Sequence, residues 1–156
     1  MKKMIMAVAV ILPVFIAGCS SVPLASDIDN KNAKLFPVPK EGEAGLYIYR
    51  DSFVGQALRK DVYLNGGCVG ETSNEVFFYL TIPTEENEII LGTESEFSPN
   101  NITMSLESGK NHFVRQYIKM GVFVGGAGLE QVSEEEGKRV ISKPKLKLAA
   151  QGICDI

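Results

Sequence analysis

Residues 60–83, KDVYLNGGCVGETSNEVFFYLTIP, decide the fold. Val62 and Leu64 alternate with Asp61 and Tyr63, the two-residue period of a strand with one face turned inward. Asn65-Gly66 follows, and both residue types accept the positive φ angles that a two-residue hairpin turn demands. Val69 resumes the pattern on the far side, so this first half reads as a β-hairpin. The second half, EVFFYLTIP (75–83), is apolar at consecutive positions and ends at Pro83, which reads as a strand covered on both faces. A hairpin beside a doubly covered strand calls for stacked sheets, not a helical bundle.

The neighbours agree. GLYIYR (45–50) sets Leu46 and Ile48 on one face and Tyr47 and Tyr49 on the other. EIILGTE (88–94), NITMSLE (101–107), HFVRQYIK (112–119) and the glycine-softened GVFVGGAGLEQV (121–132) supply further strands. Ser133-Glu134-Glu135-Glu136 spells a capping box, so a short helix is expected to about Ile141, and Lys145–Leu148 adds an edge strand. Ser26 and Asp29 suit the start of one short helix ending near Phe36, before Pro37 and Pro39. The expectation is a mainly β, single antiparallel β-sandwich or open barrel of about seven to eight strands plus a short C-terminal helix.

The N-terminal stretch carries a different signal. Lys2 and Lys3 precede an apolar run from Met4 to Ile16, shorter than the roughly 20 residues a spanning helix needs. Small residues then lead into Cys19. Ile16-Ala17-Gly18-Cys19 resembles the bacterial lipobox, with Ile in place of the commoner Leu. That resemblance implies thioether linkage of a diacylglyceryl group to Cys19, cleavage between Gly18 and Cys19, and acylation of the freed amine. Two or more chains, at about 0.8 kcal/mol per buried methylene, give a stable anchor. The resulting division is a signal peptide over 1–18, a lipidated tether over 19–43 that holds the domain off the bilayer, and a β domain over 44–156. Ser20 follows the cysteine; among lipoproteins a residue other than Asp there goes with export to the outer membrane. The expected location is therefore the periplasmic face of that membrane.

Several pieces in order, GLYIYR, VYLNG…VGET, FFYLTIP, SGKNHFVRQYIKMG and LEQVSEEEG, resemble a family of small bacterial envelope lipoproteins known as domain of unknown function 2846. The likeness runs from about Gly45 to Ile141. It implies an all-β domain on a lipid anchor, with no activity assigned. The hairpin is also similar to PEGA-type and transthyretin-like β modules, in which V-x-L-D-G-x-x-V-G-x-T recurs; Asn65 stands where Asp is usual.

Charge and cysteine count narrow the partners. The chain has 16 basic and 19 acidic residues, a formal charge of −3. Cleavage after Gly18 would remove Lys2 and Lys3 and leave it more acidic still. With no basic block to track phosphates, nucleic acid is not an expected partner. With Cys19 acylated, Cys68 and Cys154 either pair with each other in an oxidising compartment or remain two thiols.

Chemistry-bearing constellations are sparse. His112 stands alone, without the spacing of a triad or a zinc site. GGAG (125–128) lacks the Lys-Ser/Thr of a phosphate loop and a helix starting there, and reads as a twisted or bulged strand in which glycine allows close backbone approach. Glu134, Glu135 and Glu136 point in different directions from a helix and suit its positive end. No catalytic residue, metal or cofactor is expected. The remaining candidate is an aromatic face of Tyr47, Tyr49, Tyr63, Tyr79, Arg115 and Tyr117, in phase with Phe77 and Phe113. That face is either exposed for stacking on a sugar or peptide, or buried under the tether and helix. The function expected is a non-enzymatic envelope lipoprotein that binds another envelope protein or a cell-wall component. A small-ligand carrier and a wall- or lipid-acting hydrolase are the alternatives.

Overall fold

The computed structural model describes residues 21–85, 88–95, 100–121 and 125–154. Cys19 and Gly18, the lipidation and cleavage residues of the sequence, lie outside these. Asn65 and Gly66 take φ of +48° and +81°, the turn anticipated, and join β2 (Lys60–Leu64) to β3 (Gly67–Thr72). Around this hairpin stand β1 (Glu43–Arg50), β4 (Val76–Pro83), β5 (Glu88–Thr93), β6 (Asn100–Ser105), β7 (Asn111–Lys119), β8 (Gly126–Val132) and β9 (Lys147–Leu148). Helices α1 (Asp27–Ala33) and α2 (Glu134–Ile141) begin at Ser26 and Ser133, whose side chains accept from the amides of Asp29 and Glu136.

The strands form two sheets, ordered β8-β7-β1-β4-β9 and β3-β2-β5-β6, that do not close into a barrel. The protein is a β-sandwich. Its first sheet departs from the antiparallel expectation, because β1 runs parallel to β7 and β4 parallel to β9. The cause is connectivity. After β4 the chain visits the second sheet for two strands, β5 and β6. It therefore returns to the end where β1 began and runs beside it in the same direction. β9 lies parallel to β4 because the segment after α2 brings the chain back to the end where β4 starts.

Side-chain alternation sorts the first sheet cleanly. Leu46, Ile48, Phe78 and Val114 face the second sheet and meet Val62, Ile89, Leu91 and Met104 there, forming the main core. The opposite phase carries Tyr47, Tyr49, Phe77 and Phe113, which form a second core with Ala33, Val140, Ile141, Leu146 and Leu148. The ring of Tyr47 lies 4.5 Å from Tyr79, 5.0 Å from Phe113 and 5.4 Å from Phe36. Its hydroxyl donates to Ala33 O at 2.9 Å, and burial pushes its pKa up.

Two sequence expectations are corrected here. Tyr47 and Tyr49 do not form a binding face; both are fully buried. Residues 21–43 are also not a free tether over the part described, since this segment, with α2 and the C-terminal tail, covers the aromatic face. Val22 sits in the inter-sheet core, Leu24 bridges to Ala149, and the Asn30 side chain accepts from Leu148 N at 2.9 Å. Backbone bonds from Ala25 N to Leu148 O and from Ala150 N to Pro23 O fasten the segment to the C-terminal tail. The tail in turn crosses from one sheet to the other, with Ala149 N donating to Phe77 O and Gly152 N to Val69 O. The two terminal segments thus close the open side of the sandwich between β3 and β4. Cys68 and Cys154 are joined there by a disulfide, with 6.1 Å between their Cα atoms.

Candidate functional site

Because β1 and β7 are parallel neighbours, the loops that follow them leave from the same end of the sheet. At that end Arg50 is fully buried. Its Nη1 donates to Leu58 O at 2.8 Å and its Nη2 to Gly55 O, so one guanidinium grips two carbonyls of the loop leaving β1. Nε has no partner among the described residues, and burial pushes the pKa down to about 10. The group is still charged at neutral pH, and a desolvated cation held only by carbonyls costs stability. What it secures is the shape of the loop.

Other ties act on the same loop. Gly55 has φ +69°, and a Cβ there would meet the Ile118 side chain at 2.7 Å, so the loop is pressed onto the end of β7. Ser52 N donates to the Asn74 side chain at 2.9 Å, and Ser52 Oγ to Val54 O at 3.0 Å. Behind it, Gln116 links the sheets: its amide nitrogen donates to Thr93 Oγ1 at 2.7 Å, and its oxygen accepts from Thr72 Oγ1. On this tied loop Phe53 is 88% exposed, and Met120, just past β7, is equally exposed. Single exposed apolar residues are ordinary. An aromatic on a pre-ordered loop is a different matter, because the ordering cost of binding is already met and such residues anchor interfaces.

Asp51 braces the base of the loop through Lys143 and Lys145, each at 2.7 Å. Burial alone would raise its pKa; the two lysine hydrogen bonds together outweigh it and hold the carboxyl below its ordinary 3.8. A lowered acid contributes stability that is full above its unfolded pKa and lost as pH falls through the folded value. Asp51→Asn is therefore expected to flatten the acid limb of the stability profile below about pH 4, and to cost stability at neutral pH. Urea midpoints measured between pH 2 and 7 check it; parallel curves for the two proteins would remove Asp51 from the account.

The other sequence candidates scatter. Tyr79 is half-buried in the aromatic stack, its ring against Tyr47. Tyr63 belongs to the other sheet, on β2, and donates to Asp61 at 2.8 Å. Arg115 pairs with Glu130 at 3.3 Å and lies near the Tyr117 ring, which Lys119 also approaches. Tyr117 lies across Gly128, where a Cβ would come within 2.6 Å of the ring, so the glycine serves close packing. The structure thus brings Arg115 and Tyr117 together, half exposed on the β7–β8 edge, and separates them from Tyr63. His112 accepts from Glu107 N at 2.9 Å through Nε2. Next to the disulfide, Leu64, Val69, Leu80 and Gln151 line an open furrow of about 350 Å³.

Arg50 and Phe53 were not singled out by sequence. A charged residue closing a strand and an aromatic in a Ser/Gly loop are common locally; only the pairing of β1 with β7 gives them meaning.

A family described as "Protein of unknown function (DUF2846)" matches residues 40–127. The chain belongs to this family. The DUF2846 segment spans β1 to β7 and the first residues of β8, so it contains Arg50, Phe53 and Met120. Helices α1 and α2 and strand β9, which cover the aromatic face, lie outside it. The chain is also similar to a Haemophilus influenzae protein described as an uncharacterized protein. The two are 53% identical over 142 residues, 91% of this chain and 81% of the relative. No solved structure matches. Among the described residues no helix is long and apolar enough to cross a membrane.

Proposed function

We propose that this protein is a lipid-anchored module of the bacterial envelope that works by binding another envelope protein or a wall component, not by catalysis. The observation that carries the binding half is Phe53, almost wholly exposed on a loop held by a buried arginine. The anchor half rests on Ile16-Ala17-Gly18-Cys19, and the bacterial source of the relative suits that processing. Thioether formation consumes the Cys19 thiol and leaves Cys68 and Cys154 to pair, which is how the described disulfide has them. The interior speaks against a carrier. Leu46, Ile48, Val62, Phe78, Leu91 and Val114 fill the space between the sheets and are fully buried, whereas a carrier needs a cavity of roughly 300 Å³ or more that encloses its ligand.

Fractionation of cells combined with crosslinking tests both halves. The wild-type protein is expected in the membrane fraction with acyl mass on Cys19, and Cys19→Ser in the soluble fraction without it. Phe53→Ser is expected to stay in the membrane, keep its fold and lose its crosslinked partner. An unmodified Cys19 would end the anchor reading, and an unchanged crosslinking pattern in Phe53→Ser would end the role of the loop.

A further inference from the structure

We infer, resting on the lipid anchor proposed above, that the domain lies directly on the leaflet holding its acyl chains, with Leu24 and Ile28 in the headgroup–acyl boundary. The first support is chain length. Val22 is already part of the inter-sheet core. Only three Cα steps separate it from Cys19, at most about 11 Å at 3.8 Å per step. The polar layer of one leaflet is itself roughly 5–7 Å deep. A cysteine whose acyl chains are in the hydrocarbon therefore leaves no room for a stand-off. The fold begins at the membrane surface.

The second support is what surrounds the point of exit. Leu24 is 53% exposed and Ile28, on the first turn of α1, is 71% exposed. Both follow the anchor within ten residues, and Leu24 is fixed by its bridge to Ala149. Ile153, in the tail that closes the same side of the sandwich, is exposed as well. Asp27 and Asp29 flank Ile28. Lys31, one turn further along on the face of Ile28, partly offsets them, so the surface it fits is zwitterionic lipid, held by apolar contact and not by salt-sensitive attraction.

The third support is direction. Leu24 pairs antiparallel with the tail, which continues β9, and β9 runs parallel to β4. Followed back toward Cys19, the chain therefore heads for the end of the sheet where β4 finishes at Pro83. Phe53 and Met120 stand at the other end. Laid on the leaflet this way, the domain points its exposed aromatic loop away from its own membrane.

All three cysteines are occupied in the proposed mature protein, so a single introduced cysteine reports one place. Full-length lipidated Ile28→Cys and Leu24→Cys, with Phe53→Cys for comparison, are labelled with an environment-sensitive dye. They are then reconstituted in phosphatidylethanolamine-rich vesicles and floated. The labels at 24 and 28 are expected to be quenched by a shallow lipid-borne quencher at least about threefold more than the label at 53, as burial of about 5–10 Å into the boundary requires. Quenching unchanged by 0.5 M salt is also expected, whereas loss of quenching in salt overturns the apolar contact. Flotation with labels 24 and 28 as open to aqueous iodide as label 53 overturns this placement and spares the anchor. Failure to float overturns both.

Discussion

Replacing Cys68 and Cys154 together by serine is expected to lower the unfolding free energy by about 4.5 kcal/mol, the chain-entropy value for a loop of this length. The two residues are 86 positions apart, so the bridge closes more than half of the chain into a ring and restricts the unfolded ensemble accordingly. Against a typical total of about 5–15 kcal/mol for a domain, that is a large share. The native contacts around the bridge are modest by comparison: Gly152 N to Val69 O, and the Gln151 side chain to Tyr79 O. Two mechanisms are therefore separable. If the bridge acts on the unfolded chain, the urea m-value rises in the double variant because more surface is exposed on unfolding. Loss of tail contacts alone would leave m unchanged and speed amide exchange at Gly152. A loss under about 1 kcal/mol, with m unchanged, would reduce the disulfide to a local clasp.

What the sequence makes legible here is local. Asn65-Gly66 names its own turn, Ser26 and Ser133 name the helix starts, and the phase of Leu46/Ile48 against Tyr47/Tyr49 separates two faces of one strand. Which face stays wet is not local. Tyr47 and Tyr49 are covered by residues from both ends of the chain, held together by bonds such as Asn30 to Leu148, 118 positions apart. The segment 21–43 looks like a linker because its prolines and charges dominate its composition. Its docking is carried by Val22, Ala33, the Asn30 side chain and a few backbone hydrogen bonds, and backbone groups leave no mark in residue type. The same holds for Arg50. Nothing in Tyr-Arg-Asp-Ser says that the guanidinium turns inward; that follows from Leu58 and Gly55 folding back over the end of β7. The candidate loop was illegible because its meaning depends on a parallel pairing that arises only after the chain has visited the other sheet twice.

Gly137→Ala is expected to destabilise the protein by about 1–3 kcal/mol, the range for overpacking a filled core, although the same change in an exposed helix interior gains about 1 kcal/mol. The sign turns on one contact. A Cβ at Gly137 would lie 2.3 Å from Phe113 Cδ1, 2.4 Å from Cγ and 2.6 Å from Cβ. These atoms are the root of the ring, not a flexible end. Phe113 cannot retreat, since it is buried against the Tyr47 ring, 5.0 Å away, and the Phe36 ring, 6.1 Å away. The helix must lift instead, by more than about 1 Å to restore ordinary carbon contacts. Val140 and Ile141 ride on the same helix and would leave the second core with it. A coupled substitution separates this from any intrinsic effect of alanine. Phe113→Ala removes two of the three colliding atoms, Cδ1 and Cγ, so its cost in the Gly137→Ala background should be smaller than in the wild type, a favourable coupling of about 1 kcal/mol or more. Thermal and urea unfolding of the four proteins in the cycle measure it. Stabilisation by Gly137→Ala, or simple additivity of the two changes, would mean that α2 does not press on the aromatic face, and that Tyr47 and Tyr49 are less securely covered than the structure has them.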